Sequence, residues 1–160
     1  PRPSSSFRTY TAGNVFRISV PSNWQELGGN GSITFAPQGA YGNTGNQNVF
    51  THGLQVGVAR LQTDDLQQAT NGLLDSLAQS NQNLRRVGGY SRTTIDGHDA
   101  IRATLSNQSE VTGGQERIAL FTTLTQDGSL FYAIGVAPQN EFNTYSGVFQ
   151  KSVKSVQLAR

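Results

Sequence analysis

Apolar positions along this chain recur at two spacings, and the two spacings sort it into strands and helices. Phe16, Ile18 and Val20 alternate with Arg17 and Ser19, which predicts a half-buried strand over Val15 to Val20. Pro21 ends it, having no amide to donate to a ladder. A short edge strand is expected at Phe7 to Tyr10, and Ile33 and Phe35 alternate in another that stops at Pro37. Leu54, Val56 and Val58 face one way, and Gln55, Gly57 and Ala59 the other, in a strand over Gly53 to Leu61. The pattern then changes period. Leu66, Ala69, Leu73, Leu74 and Leu77 fall on one helical face, with Gln67, Gln68, Asn71, Asp75 and Gln79 opposite. Thr63-Asp64-Asp65 opens this helix, with Asp64 as the expected cap and Gln67 placed to reach back. It ends near Ser80 to Asn83.

The second half returns to period two. Leu84 to Tyr90 and Ser91 to Ile95 are extended, with Gly88-Gly89 permitting a bulge or close packing. Asp96-Gly97 is a strong turn signal, because glycine accepts a positive φ without penalty. Ala100 to Leu105 follows, with Ile101, Ala103 and Leu105 on one face. Asn107 to Gly114 reads as a loop. Ile118 to Leu124 and Leu130 to Ala137 read as long antiparallel partners around a turn at Gln126 to Ser129. They are apolar on both sides, so both faces should be covered. Pro138 stops the last strand, and Asn140 is the expected cap of a final helix. Its apolar face is Phe142, Tyr145, Phe149 and Val153, flanked by Val148 and Val156. Lys151 and Lys154 near its end complement the helix dipole. A helix needs an apolar surface to lie on. The order therefore predicts an α+β fold, an antiparallel sheet of about six to seven strands carrying the two helices.

Two stretches lack periodicity. Leu27-Gly28-Gly29-Asn30-Gly31 reads as a turn. Gln38 to His52, rich in Gly and Asn, reads as a long surface loop. Residues 1–6, Pro1-Arg2-Pro3-Ser4-Ser5-Ser6, have linker composition, leaving 7–160 as one domain. The chain holds no methionine even at residue 1, so it is expected to begin inside a longer gene product.

Composition narrows the function classes. Charged residues make up only 14% of the chain, and the net charge is +2. Arg85-Arg86 is the only adjacent basic pair, which argues against a nucleic-acid partner. No apolar run reaches the ~20 residues of a membrane-spanning helix. With no cysteine there is neither a disulfide framework nor a thiolate metal site.

Candidate chemistry is sparse. His52 and His98 are the only imidazoles, and a zinc site needs three or four converging ligands. His98, beside Asp96 and Asp99, reads as a solvated turn histidine. Asp64-Asp65 is explained by capping, and Gly-x-Ser-x-Gly is absent. Gly28-Gly29-Asn30-Gly31 lacks the lysine of a phosphate loop. The residues thus name no catalytic, cofactor or metal site. The candidate binding surface is Trp24 together with the 38–52 loop and its Tyr41, Phe50 and His52, since loops carry recognition while a sheet holds them. The competing expectation for Trp24 is a packing anchor.

Several stretches carry a family resemblance. Phe16-Arg17-Ile18-Ser19-Val20-Pro21-Ser22-Asn23-Trp24, Thr94-Ile95-Asp96-Gly97-His98-Asp99-Ala100 and Phe149-Gln150-Lys151-Ser152-Val153-Lys154-Ser155-Val156 resemble the PsbP-like fold. That resemblance spans Phe7 to Leu158 and implies an α/β/α sandwich with helices on both sides of the sheet. More narrowly, Arg2-Pro3-Ser4-Ser5-Ser6-Phe7, Pro21-Ser22-Asn23-Trp24, Ile95-Asp96-Gly97, Ser109-Glu110-Val111-Thr112-Gly113 and Ala137-Pro138 resemble the region after the catalytic domain of secreted bacterial HtpX-type zinc metallopeptidases. The peptidase motif HExxH is absent from these residues, so no catalytic residue carries over. The resemblance implies a non-enzymatic accessory domain of an exported peptidase, outside the bacterial cytoplasm. Its partner would be the upstream peptidase domain or that enzyme's substrate. The alternative is a free-standing extracytoplasmic binding or assembly module.

Overall fold

The computed structural model describes residues 3–28, 32–44, 47–60, 64–109 and 112–158, with backbone alone at 43, 44 and 47–49. Of the segments read above, Pro1-Arg2, Gly29-Asn30-Gly31, Leu61, Thr63 and Glu110-Val111 lie outside it. The alternating segments do become strands. In chain order they are β1 (Phe7–Ala12), β2 (Phe16–Pro21), β3 (Trp24–Gly28), β4 (Ser32–Pro37), β5 (Tyr41–Thr44), β6 (Gln47–Phe50) and β7 (Gly53–Ala59). Helix α1 (Leu66–Ser80) follows, then β8 (Arg85–Ile95), β9 (His98–Gln108), β10 (Gln115–Leu124) and β11 (Leu130–Pro138). A 3-10 turn at Gln139–Glu141 leads into α2 (Phe142–Lys154), and β12 (Gln157–Leu158) closes the chain.

Seven strands form the main sheet, in the order β3-β4-β7-β11-β10-β9-β8, antiparallel at every junction. One face lies against α1, which packs Leu66, Ala69, Leu73, Leu74 and Leu77 near Ile101, Ala103, Leu105 and Leu120. A buried hydroxyl pair fixes that contact. The Thr70 hydroxyl donates to the Leu66 carbonyl (2.8 Å), so Thr122 supplies the proton for the 2.8 Å bond between the two side chains. The opposite face lies under α2, whose Tyr145, Phe149 and Val153 meet Leu54, Phe121, Phe131 and Ala133. Gly135 sets how closely α2 approaches, because a Cβ there would sit 2.5 Å from the Phe149 ring.

The first strands depart from the expectation of one sheet. β1 and β2 pair with each other and with β12 in a separate three-stranded sheet. The reason is the apolar stripe Phe16, Ile18 and Val20, which lies on the α2-side core beside the helix; Phe16 meets Phe131 edge-on at 5.5 Å. The Asp96-Gly97 turn (φ 49° and 78°) has a second task there: Asp96 Oδ2 accepts the Leu158 amide at 2.9 Å.

Four local expectations are corrected. Residues 24–28 form β3, which the sequence hides because Gln25 and Glu26 are exposed and Trp24 alone is buried. Much of Gln38 to His52 is a two-stranded hairpin, β5 with β6. The α1 cap is Asp65, with extended backbone and Oδ1 accepting the Gln68 amide at 3.0 Å, rather than Asp64. Asn140 lies inside the 3-10 turn and caps nothing; Glu141 stands at the N-cap of α2 without a side-chain cap bond. The bulge expected at Gly88-Gly89 is present as a register shift between Val87 and Ser91. Ser4 and Ser6 are tied to the β2–β3 turn through Asn23 Oδ1 and the Ser22 amide.

Candidate functional site

The hairpin β5–β6 stands apart from the main sheet, between β4 and β7. Its base is closed by Ala40 and Thr51. The Thr51 amide donates to the Ala40 carbonyl at 2.8 Å, and the Thr51 hydroxyl donates to the same oxygen at 3.2 Å. Gly53 then lets the chain enter β7 against the Phe35 carbonyl, at φ 146°, where a side chain would strike backbone.

His52 joins this base to α2. Its Nδ1 lies 2.8 Å from Thr51 Oγ1, and its Nε2 lies 3.1 Å from Glu141 Oε2. Its ring packs on Tyr145 at 5.2 Å, and Tyr145 stacks on Trp24 at 6.4 Å with 16° between the planes. Burial pushes the Tyr145 phenol up to about 12, and the Glu141 carboxylate adds to the rise. A hydroxyl, an imidazole and a carboxylate in line invite comparison with a nucleophilic triad. The Thr51 hydroxyl, however, lies between two acceptors, the Ala40 carbonyl at 3.2 Å and His52 Nδ1 at 2.8 Å, so its proton is not committed to the imidazole. The chain of bonds works as a clasp that pins the hairpin to the start of α2.

The structure sorts the four residues of the candidate surface into two pairs, Tyr41 with Phe50 on the hairpin and His52 with Trp24 on either side of contacts to Tyr145. Tyr41 and Phe50 are cross-strand partners on the hairpin. Tyr41 is 36% exposed, whereas Phe50 is half-buried against the α1-side core. His52 is half-buried in the clasp. Trp24 is 1% exposed and packs with Tyr145 and Phe149. Its indole N–H has no hydrogen-bond partner among the described residues. Sequence reasoning missed Thr51 and Glu141. Glu141 is 89 residues from His52, and no spacing rule joins them.

Among the described residues, no group of three or more His, Asp or Glu side chains converges as a metal ion would need, and no helix is long and apolar enough to cross a membrane. No protein-family model and no curated protein matches the sequence. Solved structures do. Cyanobacterial PsbP from Synechocystis matches with a TM-score of 0.67 over 96% of this chain and 93% of that one, at 10% identity. The fold is PsbP-like. The Ran-binding protein Mog1p of Saccharomyces cerevisiae shares the PsbP-like fold at a TM-score of 0.64, 10% identity, and coverage of 98% and 97%. A crystal structure from Bacteroides thetaiotaomicron has it at a TM-score of 0.64 and 16% identity, over 96% of this chain and 48% of that one. The chain thus spans about half the length of the Bacteroides protein, and at such identities the PsbP-like likeness is one of fold alone.

Proposed function

We infer that this chain is a non-catalytic accessory module that binds a protein partner through the β5–β6 hairpin, in an extracytoplasmic bacterial setting. The observation that carries this reading is the hairpin itself: a two-stranded element outside the main sheet, clasped at its base by Thr51, His52 and Glu141, with Tyr41 36% exposed. An exposed aromatic on a pinned projection gives contact area at little entropic cost. One fold neighbour is a Ran-binding protein, so the architecture is compatible with protein recognition. The setting within an exported zinc metallopeptidase rests on the sequence resemblance alone. A free-standing module is the second reading, favoured by coverage of 93% of the cyanobacterial PsbP chain.

Two experiments test this. A photo-crosslinking amino acid at Tyr41, expressed in the parent organism, should yield one dominant protein adduct. The adduct should weaken when His52→Ala loosens the clasp. A scatter of adducts insensitive to His52 would remove the hairpin from the account. Reading the parent gene decides the setting: an HExxH-bearing domain before Pro1 supports the peptidase, and its absence leaves the free-standing module.

A further inference from the structure

Cross-strand register gathers charges that are far apart in the sequence. Arg85 of β8 pairs with Ser106 of β9, and Ser106 pairs with Arg117 of β10. Two rows on, Ser91 pairs with Arg102, and Arg102 with Phe121. Between these rows lie Val87 and Thr104. Paired residues point to the same face. Ala119 and Phe121 belong to the α2-side core, so all of these side chains lie on that side. The helix and the three-stranded sheet cover β7, β11, part of β10 and the turn end of β8 and β9, where Ile95 and Ala100 are buried. Along β8 from Ser91 back to Arg85 the face is bare: Arg85 and Ser91 are exposed, Arg102, Thr104, Ser106 and Arg117 half-exposed, and Val87 is 42% exposed.

No described carboxylate lies on this face. Asp99 and Glu116 pair with Thr94 and Asn107 and point to the α1 side. Glu26 is bound to Arg8, Glu141 to His52, and Asp96 to the Leu158 amide. Asp64, Asp65 and Asp75 belong to α1 and its cap, and Asp127 sits in the β10–β11 turn. Arg85, Arg102 and Arg117 therefore have no ionic partner among the described residues. Two of them are already held in place. Arg85 donates to the Gln82 and Leu84 carbonyls, at 3.1 and 2.8 Å, and Arg102 lies 5.9 Å over the Phe121 ring. Each keeps donors free for a bidentate carboxylate.

The geometry points to a docking face for an acidic, extended polypeptide segment of a partner. Arg85 and Arg117 stand about 10 Å apart, two strand spacings, and the Arg102 row lies about 13 Å farther along. Carboxylates four residues apart on an extended segment are also about 13 Å apart. Ser91, Thr104 and Ser106 supply hydroxyls for the peptide backbone, and Val87 an apolar contact. A nucleic acid is a poorer fit: three cations on a face whose aromatic is buried offer neither a phosphate track nor a stacking platform. This inference stands whether or not the hairpin binds a partner.

The test is titration of the isotopically labelled chain with a synthetic dodecapeptide of alternating Glu and Ser, followed by amide NMR. Shifts should concentrate at Ser91, Thr104 and Ser106, and the affinity should fall as salt rises. The double variant Arg85→Glu with Arg117→Glu should weaken binding at least tenfold. Arg117→Gln, a milder change that keeps a side chain of similar length at this half-exposed position, should weaken it severalfold with the amide spectrum otherwise preserved. Equal binding of a peptide with Gln in place of Glu overturns the inference, as does tighter binding of a twelve-residue oligothymidylate. So does a set of shifts confined to the hairpin, which would leave the hairpin reading intact.

Discussion

Two acids whose pKa burial raises weaken the fold as they ionise, each in its own pH range. The Tyr145 phenol, raised to about 12 by burial and then by Glu141, stays protonated in the fold well above the ordinary phenol range. Its contribution to stability is complete below the unfolded value near 10 and is lost as pH climbs through about 12. Tyr145→Phe keeps the stack on Trp24 and removes the proton, so alkaline unfolding followed at 295 nm should shift to higher pH. Glu116 is also raised, by burial, with the Asn107 hydrogen bond pulling the other way. Its ionised form is therefore the costly one, and that cost grows as pH rises above the ordinary carboxylate range. Glu116→Gln can still accept from Asn107 Nδ2, so it should raise the melting temperature at pH 7 and leave it nearly unchanged at pH 4. At the clasp, His52→Ala removes both ring hydrogen bonds at once. Urea unfolding should show a loss of about 1–2 kcal/mol, and the near-UV signal of Trp24 and Tyr145 should change with it.

At the scale of elements, α2 on β11 is the contact with least slack. Gly135 leaves room for the Phe149 ring and nothing else. Gly135→Ala should cost about 1–3 kcal/mol as the helix is pushed outward, measured by thermal melting; an unchanged melting temperature would mean that α2 rides higher than described. The strands β8 to β11 and both helices are legible in the sequence, because alternation, Asp-Gly turns and helical spacing agree there. β3 is not legible, since its only large buried side chain is Trp24. Nor is β5–β6, whose Gly- and Asn-rich residues pair through backbone bonds with no apolar face to signal them. Composition picks out the segment that holds Tyr41, Phe50 and His52, but the Glu141 end of the clasp and the three arginines of the bare face follow only from tertiary pairing and register.

For the whole molecule, the decisive question is how a three-stranded sheet stays on a seven-stranded one. Phe16, Ile18 and Val20 supply apolar contact, Arg8 of β1 bonds the Trp24 carbonyl and Glu26 of β3, and two further polar ties fix its position. The Ser19 amide donates to Ser155 Oγ at 2.8 Å, and the Leu158 amide donates to Asp96 Oδ2 at 2.9 Å. The second tie links the β8–β9 turn, and hence the far edge of the main sheet, to the C-terminal strand. Asp96 is also the one non-glycine described residue with a positive φ, 49°, so its substitutions combine a lost acceptor with a backbone cost. Asp96→Gly separates the two, since glycine takes that φ freely and offers no acceptor. We expect Asp96→Gly to lose about 1 kcal/mol and to speed hydrogen exchange at Leu158, while Asp96→Ala loses roughly 1–2 kcal/mol more through the turn. If Leu158 exchange is unchanged in Asp96→Gly, the side chain does not hold β12, and the two sheets are joined by apolar packing, Ser155 and the bonds of Arg8 to Trp24 and Glu26.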